Sequence, residues 1–391
     1  MTYDFDTITD RKNTDCLKYD FTAERHVPED VHSYWIADMD FPAAPAVTEA
    51  IINRAQHGIF GYTDVKNHYY DAVASWFTAR FGYTPARSSL VVTPGVVFAL
   101  CAAIYAYTQP GDGVLLQNPV YYPFSESIIA QGRTLVDNPL VNNNGHYEID
   151  FADFEQKIIS GNVKLFLLCS PHNPVGRVWK RNELERMADI CLRHNVKIFS
   201  DEIHSDFVFE PNKHTALPLL SKEIENNTIW ATAPTKTFNL AGLQVSDIFI
   251  ADRTMNRAFR NALDAFGYSQ KNTLGLTASE AAYRSGGEWF DQLKAYIEKN
   301  IERTISYLAA HEPRIKISKP EGTYLMWLDC RPLGLPTEKL DDVITNKAKL
   351  WLDSGRVFGS EGNGFQRINT ACPWSYLEEG LERLCRELNK V

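Results

Sequence analysis

The sequence predicts an α/β protein with a large unit built on a mostly parallel sheet flanked by helices, and a smaller α+β unit after it. Three observations predict this. Short apolar runs alternate with helix-length segments from Ser88 to Thr232, which is the pattern of βαβ units. The 391 residues, 44% hydrophobic and 12% aromatic, exceed one ordinary domain and supply ample core. Beyond Ser285 the alternation gives way to one long amphipathic segment and then mixed signals. The expected division is an N-terminal arm over 1–45 that joins the small domain, a large domain over 46–285 and a small C-terminal domain over 286–391.

The arm is rich in Pro, Asp and aromatics. Residues 46–56 (AVTEAIINRAQ) and 69–81 (YYDAVASWFTARF) have helical periodicity, with the Gly-punctuated loop GIFGYT between them. SSLVVT then reads as a strand, Gly95–Tyr107 as an apolar helix, and GVLLQ as a strand ending at Asn118–Pro119. YYPFSESIIAQG reads as a helix, RTLVDNPL as a strand, and Phe151–Ser160 as a short helix before the buried strand VKLFLLCS. A helix over Arg181–His194 precedes the strand VKIFSDE, and TIWAT (Thr228–Thr232) is the next strand. Glu288–Ala310 reads as a long connecting helix, and KISKPEGTYLMWLDC suggests strands.

Composition excludes several classes. A net charge of −9 without a block of basic residues argues against a nucleic-acid surface. The first twenty residues hold no apolar signal segment, and no run is long enough to span a bilayer. Seven cysteines without a CxxC pair or metal-ligand spacing indicate neither a disulfide framework nor a metal site. Cys101 and Cys169 lie in apolar runs as reduced core cysteines do. A soluble cytoplasmic protein is expected.

Candidate chemistry gathers at the C-terminal ends of predicted strands, where open α/β sheets place their ligands. Lys236 follows TIWAT across a turn of Pro234 and Thr235; burial there would lower its pKa and free an amine to condense with an aldehyde. Thr93-Pro-Gly95-Val96-Val97 opens a helix whose free N–H groups suit a phosphate, although ordinary capping gives the same pattern. Tyr121, just after a strand, is placed to stack on a planar ring or to cap the sheet. In SPHNPVG the prolines hold Asn173 in a rigid loop as a fixed hydrogen-bond donor. Asp201 ends a buried strand, where a carboxylate needs a cation such as a protonated ring nitrogen; the alternative is a helix N-cap. His204 is a candidate donor to a phenolate or a structural histidine. Arg367 in FQRINTACP offers a fork for a carboxylate, or is an ordinary surface arginine.

Taken in order, SPHNPVG, SDEIH, APTKTFN and QRIN resemble the fold-type I enzymes that use pyridoxal 5′-phosphate, and more narrowly the class I/II aminotransferase superfamily. WIADMDFP (Trp35–Pro42), GYT around Tyr62 and PEGTYLMWLD are similar to its cystathionine β-lyase branch, the MalY/PatB-type carbon–sulfur lyases. The resemblance implies a seven-stranded sheet in the large domain and a homodimer with sites at the subunit interface. It also implies roles. Lys236 would bond covalently to the cofactor and, once displaced by substrate, move the Cα proton. Asp201 would keep the pyridine nitrogen protonated, and Asn173 with His204 would bond the phenolic oxygen. Tyr121 would stack on the ring. The backbone at Gly95, Val96 and Val97, with Thr235, would cradle the phosphate, and Tyr62 would reach the phosphate in the neighbouring subunit. Arg367 would hold the substrate α-carboxylate beside the Ile36–Ala37 backbone and Asn173.

The sequence departs from many aminotransferases in having Ala233 three residues before the lysine and Gln244 eight after it, instead of Ser and Arg. Thr232, Thr235 or backbone donors are then left to complete the phosphate site. His204 stands where many members have Tyr and the lyase branch has His. The implied activity is α,β-elimination from L-cystathionine or a related cysteine S-conjugate to thiol, pyruvate and ammonia. The alternatives are an aminotransferase and a cofactor-binding regulatory protein acting through a partner.

Overall fold

The computed structural model describes residues 2–391. Its principal sheet has seven strands: β1 (Leu90–Thr93), β2 (Gly113–Leu116), β3 (Thr134–Asp137), β4 (Val163–Cys169), β5 (Lys197–Asp201), β6 (Thr228–Thr232) and β7 (Ser246–Ile250). Their spatial order is β1-β7-β6-β5-β4-β2-β3. The run β3-β2-β4-β5-β6 is parallel throughout, whereas β7 runs antiparallel to both β6 and β1. The expected mostly parallel seven-stranded sheet is therefore present.

Helices on both faces explain why the central strands read as nearly unbroken apolar runs. In β4, Leu165, Leu167 and Cys169 face the cluster containing helices Val96–Tyr107 and Arg253–Ala265. Phe166 and Leu168 face the cluster of helices Phe151–Ser160 and Arg181–Arg193. Predicted and observed elements agree closely here: Phe151–Ser160 and Thr228–Thr232 match residue for residue. The strand the pattern did not mark is β7, because its start is polar. Ser246 and Asp247 are fully buried there, and the Asp247 carboxylate accepts from the Tyr69 hydroxyl at 2.8 Å and the Tyr283 hydroxyl at 3.0 Å.

The predicted connector is a 25-residue helix, Gly287–His311. A second, antiparallel sheet follows, made of β8 (Lys316–Ile317), β9 (Leu325–Asp329), β10 (Asp353–Ser354) and β11 (Phe365–Asn369) in the order β8-β9-β11-β10. The N-terminal residues do not float free: His32–Ser33 pairs in parallel with Leu350–Trp351. All seven cysteines are free thiols.

Candidate active site

Strand register brings the site together. Cys169 at the end of β4 lies opposite Asp201, and Asp201 lies opposite Ala231 on β6. The chain leaves β4 into the SPHNPVG loop, where Asn173 is buried with its backbone N–H on the Cys169 sulfur. It leaves β6 into a single helical turn, Pro234–Thr237, that presents Lys236. Arg367 comes from the other sheet, in the middle of β11, and is 2% exposed.

These groups wall one cavity of about 700 Å³, together with Ile36, Ala37, Tyr121 and His204. Gly95, Val96, Val97, Thr235 and Tyr62 are not part of that wall. Gly95 takes a φ of 115° immediately before the helix Val96–Tyr107, a conformation that suits glycine, and Val97 beside it is 38% exposed. Tyr62 is 94% exposed on the loop between the first two helices. The sequence left Thr232 open as a phosphate ligand, and the structure removes it. Its hydroxyl donates to the Asp247 carbonyl at 2.7 Å, because β7 runs antiparallel alongside. Nor is Asp201 a helix N-cap, since a turn without a helix follows it.

Burial sets the charges in the cavity. The Lys236 amine donates to the Ala37 carbonyl at 2.6 Å. Burial lowers its pKa to about 8, with Asp38 and Asp201 opposing that shift and Arg367 adding to it. Asp201 goes the other way: burial raises it to about 7, although the Ile203 N–H and Lys236 favour its ionised form. Burial, with Lys236 and Arg367 near, drives His204 well below the usual imidazole range, so its ring is neutral. Arg367 donates through Nη1 to Asn173 Oδ1 at 3.0 Å, and through Nη2 to the Trp35 carbonyl at 2.6 Å and to Asp353 Oδ2.

Several residues that shape the cavity escaped the sequence reading. Thr9, Arg11, Cys16 and Leu17 bring the N-terminal arm into the wall. Arg11 and Lys18 bind Asp38 and Asp40 in a four-charge cluster, with Arg11 at 2.7 Å from each acid and Lys18 at 2.8 Å from Asp40. Two asparagines fix the backbone of WIADMDF. Asn369 Nδ2 donates to the carbonyls of Ile36 and Asp38 at 2.8 and 2.6 Å, and Asn239 Nδ2 to those of Met39 and Phe41 at 2.9 Å each. Both asparagines sit inside the motifs already singled out, TFN and QRIN, so the signal was present without its meaning.

The family model for aminotransferase class I and II matches residues 36–384, and the chain belongs to that family. It is 42% identical over 380 residues to cystathionine beta-lyase PatB of Bacillus subtilis (strain 168), covering 97% of this chain and 98% of that protein. It is 35% identical over 392 residues to the protein MalY of Escherichia coli (strain K12), covering 100% of both. Among solved structures, cystalysin from Treponema denticola, which contains a pyridoxal 5′-phosphate cofactor, superposes with a TM-score of 0.96 at 37% identity, covering 100% of both chains.

The cavity residues fit such a cofactor. His204 Nδ1 is buried without a hydrogen-bond partner, a free position for a ring substituent. The Asp201 carboxyl is raised by burial despite Lys236 nearby, and a protonated ring nitrogen would supply the further positive charge that its ionised form lacks. A lysine with a lowered pKa, Lys236, stands on the helical turn that follows the neighbouring strand β6.

Proposed function

We propose that the chain is a pyridoxal 5′-phosphate-dependent carbon–sulfur β-lyase that eliminates the thiol from L-cystathionine or a related cysteine S-conjugate, leaving pyruvate and ammonia. The observation that carries this reading is the shared cavity of Lys236, Asp201, Asn173 and Arg367, with the lysine pKa brought down to about 8. The similarity to cystathionine beta-lyase PatB over nearly the whole chain supports the choice of reaction.

Lys236 would hold the cofactor covalently, Asp201 would sit at its ring nitrogen, and Asn173 Nδ2 and His204 at its phenolic oxygen. Tyr121 would cover the ring, and the unpaired N–H groups from Gly95 to Val97 at the helix start, with Thr235, would take the phosphate. Bound there, the cofactor supplies an electron sink for the pair left at the substrate Cα when its proton departs. Arg367 grips the substrate α-carboxylate beside the Ile36–Ala37 backbone, which fixes the direction of the Cα–H bond. Lys236 Nζ, freed by the substrate amine, removes the Cα proton. A pKa near 8 leaves a useful neutral fraction for that task at physiological pH. Loss of the thiolate from Cβ follows.

The same reading takes the protein as a cytoplasmic homodimer. Supporting it, Ile59, Phe60 and Tyr62 form an exposed apolar loop, with Tyr62 assigned to the phosphate of the neighbouring site. Seven reduced cysteines suit a reducing compartment. Among the described residues no helix is long and apolar enough to cross a membrane. The arm, large and small domains are read as 1–45, 46–285 and 286–391.

Lys236→Ala tests the assignment. Pyruvate release is expected to fall to background, and borohydride should no longer fix the cofactor to the denatured chain. A variant that keeps most of its activity overturns it.

A further inference from the structure

The pairing of Arg367 and Asp353 goes beyond holding a side chain in place. The two are cross-strand partners, opposite one another on β11 and β10. Their side chains are 3% and 12% exposed. Arg367 Nη2 donates both to Asp353 Oδ2 and to the Trp35 carbonyl, Nη1 donates to Asn173, and the buried Nε has no partner.

A guanidinium grips a carboxylate with two parallel bonds along one of two edges, Nη1 with Nη2 or Nε with Nη2. Nη2 belongs to both edges, and both of its hydrogens are engaged. An incoming carboxylate therefore gains a two-pronged grip only by taking a place on Nη2 from its present partners. The Trp35 carbonyl is a poor candidate to yield. Its ring is stacked on Trp351 with centroids 4.6 Å apart, and the next carbonyl along the chain is held by Asn369. Asp353 is a side chain with somewhere to go. It lines the main cavity and also an adjoining groove of about 480 Å³ that contains Arg25. Arg25 is exposed and packs over the Trp35 ring at 4.7 Å, so a second cation waits on the far side of the same wall.

We propose that Asp353 is an internal competitor for Arg367: its carboxylate holds the guanidinium in the resting site and swings toward Arg25 when the substrate α-carboxylate takes its place. This rests on the reading of Arg367 as the α-carboxylate site. Asp353 is a positioning residue that sets how tightly any carboxylate binds, while the chemistry at Cα stays with Lys236.

The test is calorimetric titration of the holoenzyme with 3-(methylthio)propanoate, a substrate-shaped acid without the amine, so that binding is read apart from turnover. Asp353→Asn is expected to bind it about tenfold more tightly than wild type, the scale of one charge-assisted hydrogen bond no longer competed for. Asp353→Glu, which keeps the competing carboxylate, is expected to stay near wild type. A purely supporting aspartate predicts the reverse, with weaker binding in Asp353→Asn, and that result or an unchanged affinity overturns the proposal. If Asp353→Asn does not fold, Arg25→Gln decides. Without a cation to receive Asp353 the acid is expected to bind several-fold more weakly, and unchanged affinity overturns the proposal. Pyruvate release from L-cystathionine is assayed on the same preparations. Affinities in the expected order without pyruvate refute the lyase reading alone. No binding to wild type or to Asp353→Asn refutes both the competitor and the role of Arg367.

Discussion

Replacing Asp201 by asparagine should damage the enzyme and strengthen the empty protein. Asp201 is 5% exposed at the end of β5, and burial raises its pKa from 3.8 to about 7. The folded value lies above the unfolded one, so the fold disfavours the ionised form. The penalty is absent below about pH 4, grows as the pH rises, and is complete above about pH 7. Holding that carboxyl ionised at pH 8 therefore costs the cofactor-free fold about 4 kcal/mol. The Asp201→Asn substitution removes the cost, and the cofactor-free variant should melt higher than wild type at pH 8 while the two converge near pH 4. With the cofactor placed as proposed, a protonated ring nitrogen would cancel the same penalty in wild type, so cofactor addition should raise the melting temperature of wild type more than that of the variant. The lost charge-assisted bond should lower kcat/KM by about 10- to 100-fold. The assay is thermal melting of both proteins, with and without cofactor, from pH 4 to 9, beside pyruvate release. A cofactor-free variant less stable than wild type at pH 8, or a kcat/KM within twofold of wild type, would refute the reasoning.

Other substitutions probe the rest of the site. Arg367→Lys loses the planar fork that Asn173 and the Trp35 carbonyl orient, and should raise KM for the amino acid about tenfold or more with a smaller effect on kcat; equal KM values in steady-state kinetics contradict the assignment. Asn369→Ala orphans the carbonyls of Ile36 and Asp38 and the Ala371 N–H, and should lower stability by about 3 kcal/mol in urea titration and raise KM. Tyr62→Ala should leave the monomer fold intact, as expected for a side chain 94% exposed, yet speed cofactor loss on dialysis; unchanged retention argues against its role across an interface.

Much of this architecture is legible in the sequence because burial leaves an apolar signature. VKLFLLC and TIWAT are covered on both faces by helices and read as strands directly. β7 escaped because Ser246 and Asp247 are buried by hydrogen bonding to Thr93, Tyr69 and Tyr283, which hydropathy does not register. The arm's place in the cavity wall escaped for a related reason. Arg11 and Lys18 look solvated as single charges, yet Lys18 is 1% exposed and both are neutralised by Asp38 and Asp40. Lys236, Asp201 and Asn173 stand at or just after the strand ends that the sequence marked, whereas Arg367, expected at a strand end, lies in the middle of β11 and reaches the cavity from the second sheet; what each bonds to required the fold. Thr232 is the clearest case. Its position in sequence suits a phosphate ligand, and the antiparallel neighbour turns its hydroxyl away.

The most direct test of the central claim is pyruvate release by the purified holoenzyme from L-cystathionine with no 2-oxo acid added. The account predicts pyruvate with equimolar thiol and ammonia. No pyruvate, but amino-group transfer once a 2-oxo acid is supplied, would contradict it and make the protein an aminotransferase.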